Sequence, residues 1–271
     1  GTNGKTTITY LLENLFKVNS EKTGIIGTIN YRFGHRLIPT FNTTPGVLDI
    51  YSLLNSMYKE GIRNCVLEVS SHSLDQGRVD TFNFDAAIFT NLTSEHLDYH
   101  KNLDEYLSAK IKLFSKIKQG GYAIINKDDP ASEKIIEKVA SEKKARVLTY
   151  GIEKNSDIFA RNIKYSYEGL IFEISAAQDN AFHIENSIKI ESRLIGRHNV
   201  YNILASVACG IAMGMGVDDI REGVRALSSL PGRLEKIDCG QDFAIFVDYA
   251  HTENGIENAL NHCGSPVRYE Q

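Results

Sequence analysis

From Lys5 to Phe16 the apolar residues Ile8, Leu11, Leu12, Leu15 and Phe16 recur at helical spacing, which predicts an amphipathic helix. Short apolar runs then alternate with stretches of helical period. Asn64 to Val69, Asp85 to Thr90 and Gly121 to Ile125 read as strands; Val47 to Tyr58, Asp104 to Ile117 and Ala131 to Ala140 read as helices. This alternation predicts an α/β fold with a mostly parallel sheet flanked by helices, in which functional groups gather where strands end and loops begin.

After residue 157 the pattern changes. Period-two alternation over Asp157 to Leu194, as in Leu170, Phe172 and Ile174, predicts a small antiparallel layer with a turn at Glu168-Gly169. Helical spacing returns over Asn199 to Gly214 and Asp218 to Leu227, and Leu230-Pro231-Gly232 has the character of a linker. The expected organisation is a first domain over residues 1–231 and the start of a Rossmann-like second domain over 232–271, with Phe243 to Val247 as one of its strands.

Composition narrows the function classes. The 271 residues are 42% hydrophobic and 24% charged, ordinary for a soluble globular chain able to bury a substantial core. With a net charge of −4 and no concentrated Lys/Arg run, small-molecule substrates are expected in place of nucleic acid or a membrane surface. No stretch approaches the roughly 20 apolar residues of a membrane-spanning helix. Cys65, Cys209, Cys239 and Cys263 lack both the CxxC spacing of a zinc site and the density of a disulfide scaffold, which fits a reducing cytoplasm.

The chemistry is concentrated at strand ends. Gly1-Thr2-Asn3-Gly4-Lys5-Thr6-Thr7 reads as the end of a phosphate-binding loop, with its first glycine and feeding strand placed ahead of Gly1. Backbone N–H groups opening onto a helix N-terminus cradle phosphate oxygens, Lys5 adds a positive charge, and Thr6 offers a hydroxyl to Mg²⁺. The alternative is a chance turn before an ordinary helix. Glu68, ending Cys65-Val66-Leu67, suits Mg²⁺ coordination beside that loop or is a solvated strand end. His96, in Thr90-Asn91-Leu92-Thr93-Ser94-Glu95-His96-Leu97-Asp98-Tyr99-His100, is either a ligand or an ordinary packed histidine.

Taken in order, GTNGKTT, NTTP, EVSSHSL, TNLTSEHLDYH, SAKIKLF, GRHNVYN, GRLE and DYAHT resemble the Mur ligases, with spacing most similar to the tripeptide-forming branch; the resemblance runs from Gly1 to about Thr252. It implies ATP-dependent phosphorylation of a substrate carboxylate to an acyl phosphate, which the amine of an incoming amino acid attacks. The acceptor implied is UDP-N-acetylmuramoyl-L-alanyl-D-glutamate, and the added amino acid is L-lysine or meso-diaminopimelate, chosen by residues beyond Gln271. The setting implied is the bacterial cytoplasm, with the protein acting as a monomer in peptidoglycan precursor synthesis.

By the same resemblance Gly1, Thr2, Asn3, Gly4, Lys5, Thr6 and Thr7 hold the ATP phosphates, Thr6 and Glu68 serve one Mg²⁺, and His96 serves a second. Lys110 corresponds to a lysine that becomes carbamylated; without the resemblance it would read as a solvent-facing helix residue. A carbamate presents the anionic oxygens that Mg²⁺ prefers, whereas an ammonium cannot ligate a cation. Asn42, Thr43, Thr44, Ser70, Gln76 and Arg78 correspond to positions that hold the muramyl dipeptide, Arg78 being suited to a carboxylate. His198, Asn199 and Asn202 fall in the nucleotide-base segment, and Arg233 and Asp248 correspond to groups that close over ATP, although Arg233 also reads as an exposed linker charge.

The sequence departs from the family after Thr252, where Glu253-Asn254 replace the usual Pro-Asp. The amino-terminal domain that grips the uridine end and most of the carboxy-terminal domain are not in these residues, so the chain by itself is expected to be inactive. Folylpolyglutamate synthase, the preceding Mur ligase and a nucleotide-binding module without catalysis share the loop and stand as alternatives.

Overall fold

The computed structural model describes residues 1–93, 99–177, 187–250, 255–257 and 259–260. Helix α1 (Lys5–Val18) starts directly after Gly4, whose φ of 89° favours glycine, and buries the predicted stripe of Ile8, Leu11, Leu12, Leu15 and Phe16. It leads into β1 (Thr23–Ile26), β2 (Asn30–Phe33) and β3 (Arg36–Pro39), then α2 (Val47–Lys59), β4 (Asn64–Leu67) and the short α3 (Ser71–Asp75). The order β3-β2-β1-β4 forms a four-stranded sheet in which β1 and β4 are parallel and β1 to β3 make an antiparallel arm.

The second sheet has six strands. Strand β5 (Phe84–Phe89) is followed by α4 (Leu103–Ile111), β6 (Ile117–Asn126), α5 (Ser132–Glu142), β7 (Arg146–Gly151), β8 (Ile158–Ser166), β9 (Gly169–Ala176) and β10 (Ile188–Ser192). Strands β5 to β8 run parallel, and β8, β9 and β10 are antiparallel. The predicted antiparallel strands are therefore present, and they continue the parallel sheet through the β7–β8 pair. Helices α6 (Arg197–Ala212) and α7 (Val217–Ala226) follow, and the described residues after Pro231 pair β11 (Glu235–Ile237) with β12 (Ile245–Val247) as an antiparallel hairpin.

One expected element is corrected. The helix read over 104–117 ends at Ile111, a single 3-10 turn covers Phe114–Lys116, and β6 already begins at Ile117. Leu113, Phe114 and Ile117 fit a helical repeat in sequence, but Ile117 is fully buried as the first residue of β6, opposite Phe84.

Helices cover both faces of the larger sheet. On one side α1, α6 and α7 bury Leu11, Leu15, Ile203, Leu204, Val207 and Ile220 against β6 to β10; on the other, Leu107, Phe114, Ile135 and Val139 pack on β5 and β6. The arm packs separately through Ile26, Tyr31, Phe33, Ile50 and Met57. No helix among the described residues is long and apolar enough to cross a membrane.

Helices α1 and α7 meet where only a hydrogen fits. A Cβ on Gly223 would lie 2.8 Å from Leu15 Cα and 3.0 Å from Leu15 N. Backbone cannot rotate away as a side chain can, so Gly223→Ala should cost about 1–3 kcal/mol by overpacking. Urea unfolding checks this: an unshifted midpoint would show that the helices separate freely.

Candidate active site

The loop before α1 is clamped by the end of β5. Thr2 N donates to Asn91 O at 2.8 Å, Asn3 N to Asn91 Oδ1 at 2.8 Å, and Thr90 Oγ1 to Asn3 O at 2.6 Å. Lys5 Nζ curls over the loop, donating to Gly1 O at 3.0 Å and Thr2 O at 2.7 Å. Behind the loop, a Cβ on Gly4 would collide with Asn202 Oδ1, so the glycine provides both the left-handed turn and the close approach. Asn202 and Asn199 are buried; Asn202 Nδ2 donates to Asn199 Oδ1 at 2.8 Å, and Asn199 Nδ2 donates to Ile195 O at 2.7 Å. These two predicted nucleotide contacts thus brace the loop from α6.

Glu68 sits beside Thr6 and is not a solvated strand end: only 3% of it is exposed. Its carboxylate accepts from Thr6 Oγ1 at 3.1 Å, Thr28 N at 3.0 Å and Thr28 Oγ1 at 2.9 Å. The parallel pairing of β4 with β1 brings Thr28 there, and a Cβ on Gly27 would strike the same carboxylate.

The positions expected to hold an acyl-bearing substrate lie on the other side of Glu68. Thr44 Oγ1 donates to Glu68 O at 2.7 Å and accepts from Ser70 N at 3.1 Å. Arg78 Nη1 donates to Thr44 O at 2.7 Å and its Nε to Gln76 Oε1 at 2.9 Å. Thr43 Oγ1 lies 3.1 Å from Thr28 Oγ1, and Asn42 O accepts from Tyr31 Oη at 2.7 Å.

Lys110 reaches the site from the last turn of α4. It is buried, with Nζ 4.1 Å from the Tyr106 ring centre. Tyr106 Oη lies 3.2 Å from Thr2 Oγ1, tying that helix to the phosphate loop. Lys5 spans the loop directly, and Lys110 approaches it through the Tyr106 ring.

The other predicted residues are distributed differently. His96 lies outside the described residues. His198 opens α6 with its ring against Gly196. Arg233 and Asp248 form a cluster of their own by the hairpin: Asp248 accepts from Leu234 N and Ala250 N, both at 2.7 Å, and the Arg233 guanidinium stands 5.7 Å from the Tyr249 ring centre.

Four contributors had no assigned role in the sequence reading: Thr28, Asn91, Tyr106 and His100. His100 is buried in a stack with Tyr106 at 5.0 Å, its Nε2 has no hydrogen-bond partner among the described residues, and burial followed by the nearby His72 charge lowers its pKa. The density of imidazoles around residues 96–100 was the only signal for it. The others act through long-range contacts.

Residues 1–210, which contain this whole arrangement up to α6, match the Mur ligase middle domain. The chain belongs to the Mur ligase family. It is 40% identical over 266 residues to the UDP-N-acetylmuramoyl-L-alanyl-D-glutamate–2,6-diaminopimelate ligase of Bacillus cereus, matching 96% of this chain and 52% of that protein. The ligase of the same name from Geobacter metallireducens is 39% identical, over 96% of this chain and 50% of its own length. The chain spans about half the length of the curated relatives it matches. A solved structure of a ligase of that name superposes with a TM-score of 0.82 at 31% identity, over 97% of this chain and 52% of that one. Folylpolyglutamate synthetase from Lactobacillus casei, at 17% identity and a TM-score of 0.71 over 98% and 70%, shares the fold.

The donor set suits a hard cation at one point. Thr6 Oγ1 and the Glu68 carboxylate are oxygen donors within hydrogen-bond distance of each other, and Mg²⁺ takes few protein oxygens when phosphates complete its shell. Among the described residues no group of three or more His, Cys, Asp or Glu is arranged to hold a metal. Lys110 as an ammonium over Tyr106 fits no cation.

Proposed function

We propose that the longer protein joins 2,6-diaminopimelate to UDP-N-acetylmuramoyl-L-alanyl-D-glutamate at the expense of ATP, in the cytoplasm of a bacterium, acting as a monomer. Residues 1–231 form its ATP-binding part and 232–271 the opening of the next domain. The observation that carries this reading is the gathering of Lys5, the Thr6–Glu68 pair and, through Tyr106, Lys110 around one phosphate loop. The names of the 2,6-diaminopimelate ligases at about 40% identity favour that amino acid over lysine.

Gly1 to Thr7 hold the triphosphate, with Lys5 beside its β and γ groups. Asn42, Thr43, Thr44, Ser70, Gln76 and Arg78 orient the muramyl dipeptide so that its carboxylate oxygen attacks the γ-phosphorus and ADP departs. The amine of the amino acid then adds to the acyl-phosphate carbon, the tetrahedral intermediate expels phosphate, and the nitrogen loses its proton. His198, Asn199, Asn202, Arg233 and Asp248 close around the nucleotide. Thr6 and Glu68 would hold one Mg²⁺, and His96 with carbamylated Lys110 a second; bound there, the ions neutralise phosphate oxygens crowded together during transfer.

The test is phosphate release from ATP by the longer protein, dependent on both the muramyl dipeptide and diaminopimelate; release independent of the dipeptide would refute the assignment. The 271 residues alone should form little or no product, because positioning two substrates requires their docking surfaces. Nucleotide binding without turnover is expected for them. Lys110→Ala in the longer protein should lose turnover and regain part of it with added formate or acetate, which replace the missing carboxylate. Unchanged turnover would remove Lys110 from the mechanism.

A further inference from the structure

The antiparallel arm is held on its two faces by different means. Alternate residues of a strand point to opposite sides, and in β2 Tyr31 and Phe33 turn to the apolar cluster around Ile50 and Met57. Arg32, between them, turns to α1. Its Nε donates to both carboxylate oxygens of Glu13, at 2.9 and 3.0 Å, and its Nη2 donates to the same carboxylate. Its Nη1 donates to Asn30 Oδ1 at 2.9 Å, and the guanidinium carbon stands 3.9 Å from the Tyr10 ring centre. An ion pair in open solvent contributes little. Here the Arg32 side chain is 14% exposed and that of Glu13 28%, and a guanidinium fork closed on a carboxylate and laid on an aromatic face is fixed in direction as well as distance.

Thr6, Tyr10 and Glu13 are spaced by four and three residues and so form one stripe of α1. The arm meets that stripe twice. At the phosphate-loop end Thr28 and Thr6 share the Glu68 carboxylate; about 10 Å farther along the helix, at about 1.5 Å per residue, Arg32 takes Tyr10 and Glu13. Two separated attachments set the angle of the arm. The arm in turn carries the loop assigned to the muramyl dipeptide: Tyr31 Oη donates to Asn42 O at 2.7 Å, and Thr28 Oγ1 lies 3.1 Å from Thr43 Oγ1.

We propose that Arg32 is a positioning residue for the carboxylate substrate: its clamp on Tyr10 and Glu13 sets the arm, and with it Asn42 and Thr43, at a fixed distance from the phosphate loop. This role rests on the ligase reading above. Arg32 acts through the arm and not on the reacting atoms, and a misplacement of about 1 Å from such a remote change can cost on the order of 10²-fold in rate.

In the longer protein, Arg32→Ala should raise KM for the muramyl dipeptide about tenfold and leave KM for ATP within about twofold, since the phosphate loop keeps its own clamps on Asn91 and Thr90. A pair that only stabilised the fold would lower Tm or the amount of active protein and leave both KM values alone. Glu13→Ala should match Arg32→Ala, and the double variant should be no worse than either, because all three remove one pair. Effects that multiply, or an unchanged dipeptide KM, would overturn the proposal. Should Arg32→Ala not fold, Arg32→Met combined with Glu13→Gln removes the clamp without stranding a carboxylate, and the same rise in dipeptide KM is expected. Hydrogen exchange separates the clamp from the ligase reading: peptides covering residues 28–44 should exchange about tenfold faster in Arg32→Ala whatever the reaction, and unchanged exchange there refutes the clamp. Phosphate release by the wild type without the dipeptide would overturn the ligase reading and this role with it, while faster exchange would still identify the clamp.

Discussion

Lys5→Met in the longer protein should reduce single-turnover phosphate release by about 10²–10³-fold, the usual loss when one preorganised group opposite developing charge is removed. The ammonium is already held over the loop by Gly1 O and Thr2 O, so little reorganisation is needed when a triphosphate arrives. Methionine keeps most of the stem, and Lys5 is half-buried, so the fold should survive with Tm nearly unchanged. Quench-flow with labelled ATP and the muramyl dipeptide measures the step. A variant that phosphorylates its substrate at the normal rate would exclude Lys5 from the transfer.

Glu68 separates charge from scaffold. Glu68→Gln keeps the shape and an oxygen for Thr6 or Thr28, but lacks the anionic oxygens that suit Mg²⁺; turnover should fall by about 10²-fold or more, with a modest change in Tm. Glu68→Ala should also destabilise, by about 2–4 kcal/mol, because Thr28 N and two threonine hydroxyls lose their acceptor in a buried place. Parallel unfolding and activity measurements on the two variants resolve the roles. Equal stability loss in both would mean that the negative charge itself holds the fold.

Much of the frame was legible because its signals are local. The α1 stripe, the strands at β4 and β5 and the glycine-lysine loop each depend on residues a few positions apart, and all appear where periodicity placed them. The arm of β1 to β3 was missed: Asn30–Phe33 and Arg36–Pro39 are too short and too polar to stand out, and they persist by pairing and by packing on Ile50 and Met57. The end of α4 at Ile111 was missed for the opposite reason, since an apolar spacing compatible with a helix continues into a strand that burial selects. Thr28, Asn91 and Tyr106 carried no pattern at all. They matter through hydrogen bonds to residues 40, 88 and 104 positions away.

The sequence by itself determined which elements form and which residues are chemically equipped for phosphate and a hard cation, because helix and strand periods and glycine's backbone freedom are properties of short segments. Only the tertiary structure decided that Glu68 is buried against Thr6 and that Lys110 leans on Tyr106 beside the same loop. Those outcomes depend on how separate strands register and how helices pack across them, and register is fixed only when distant apolar faces are buried together.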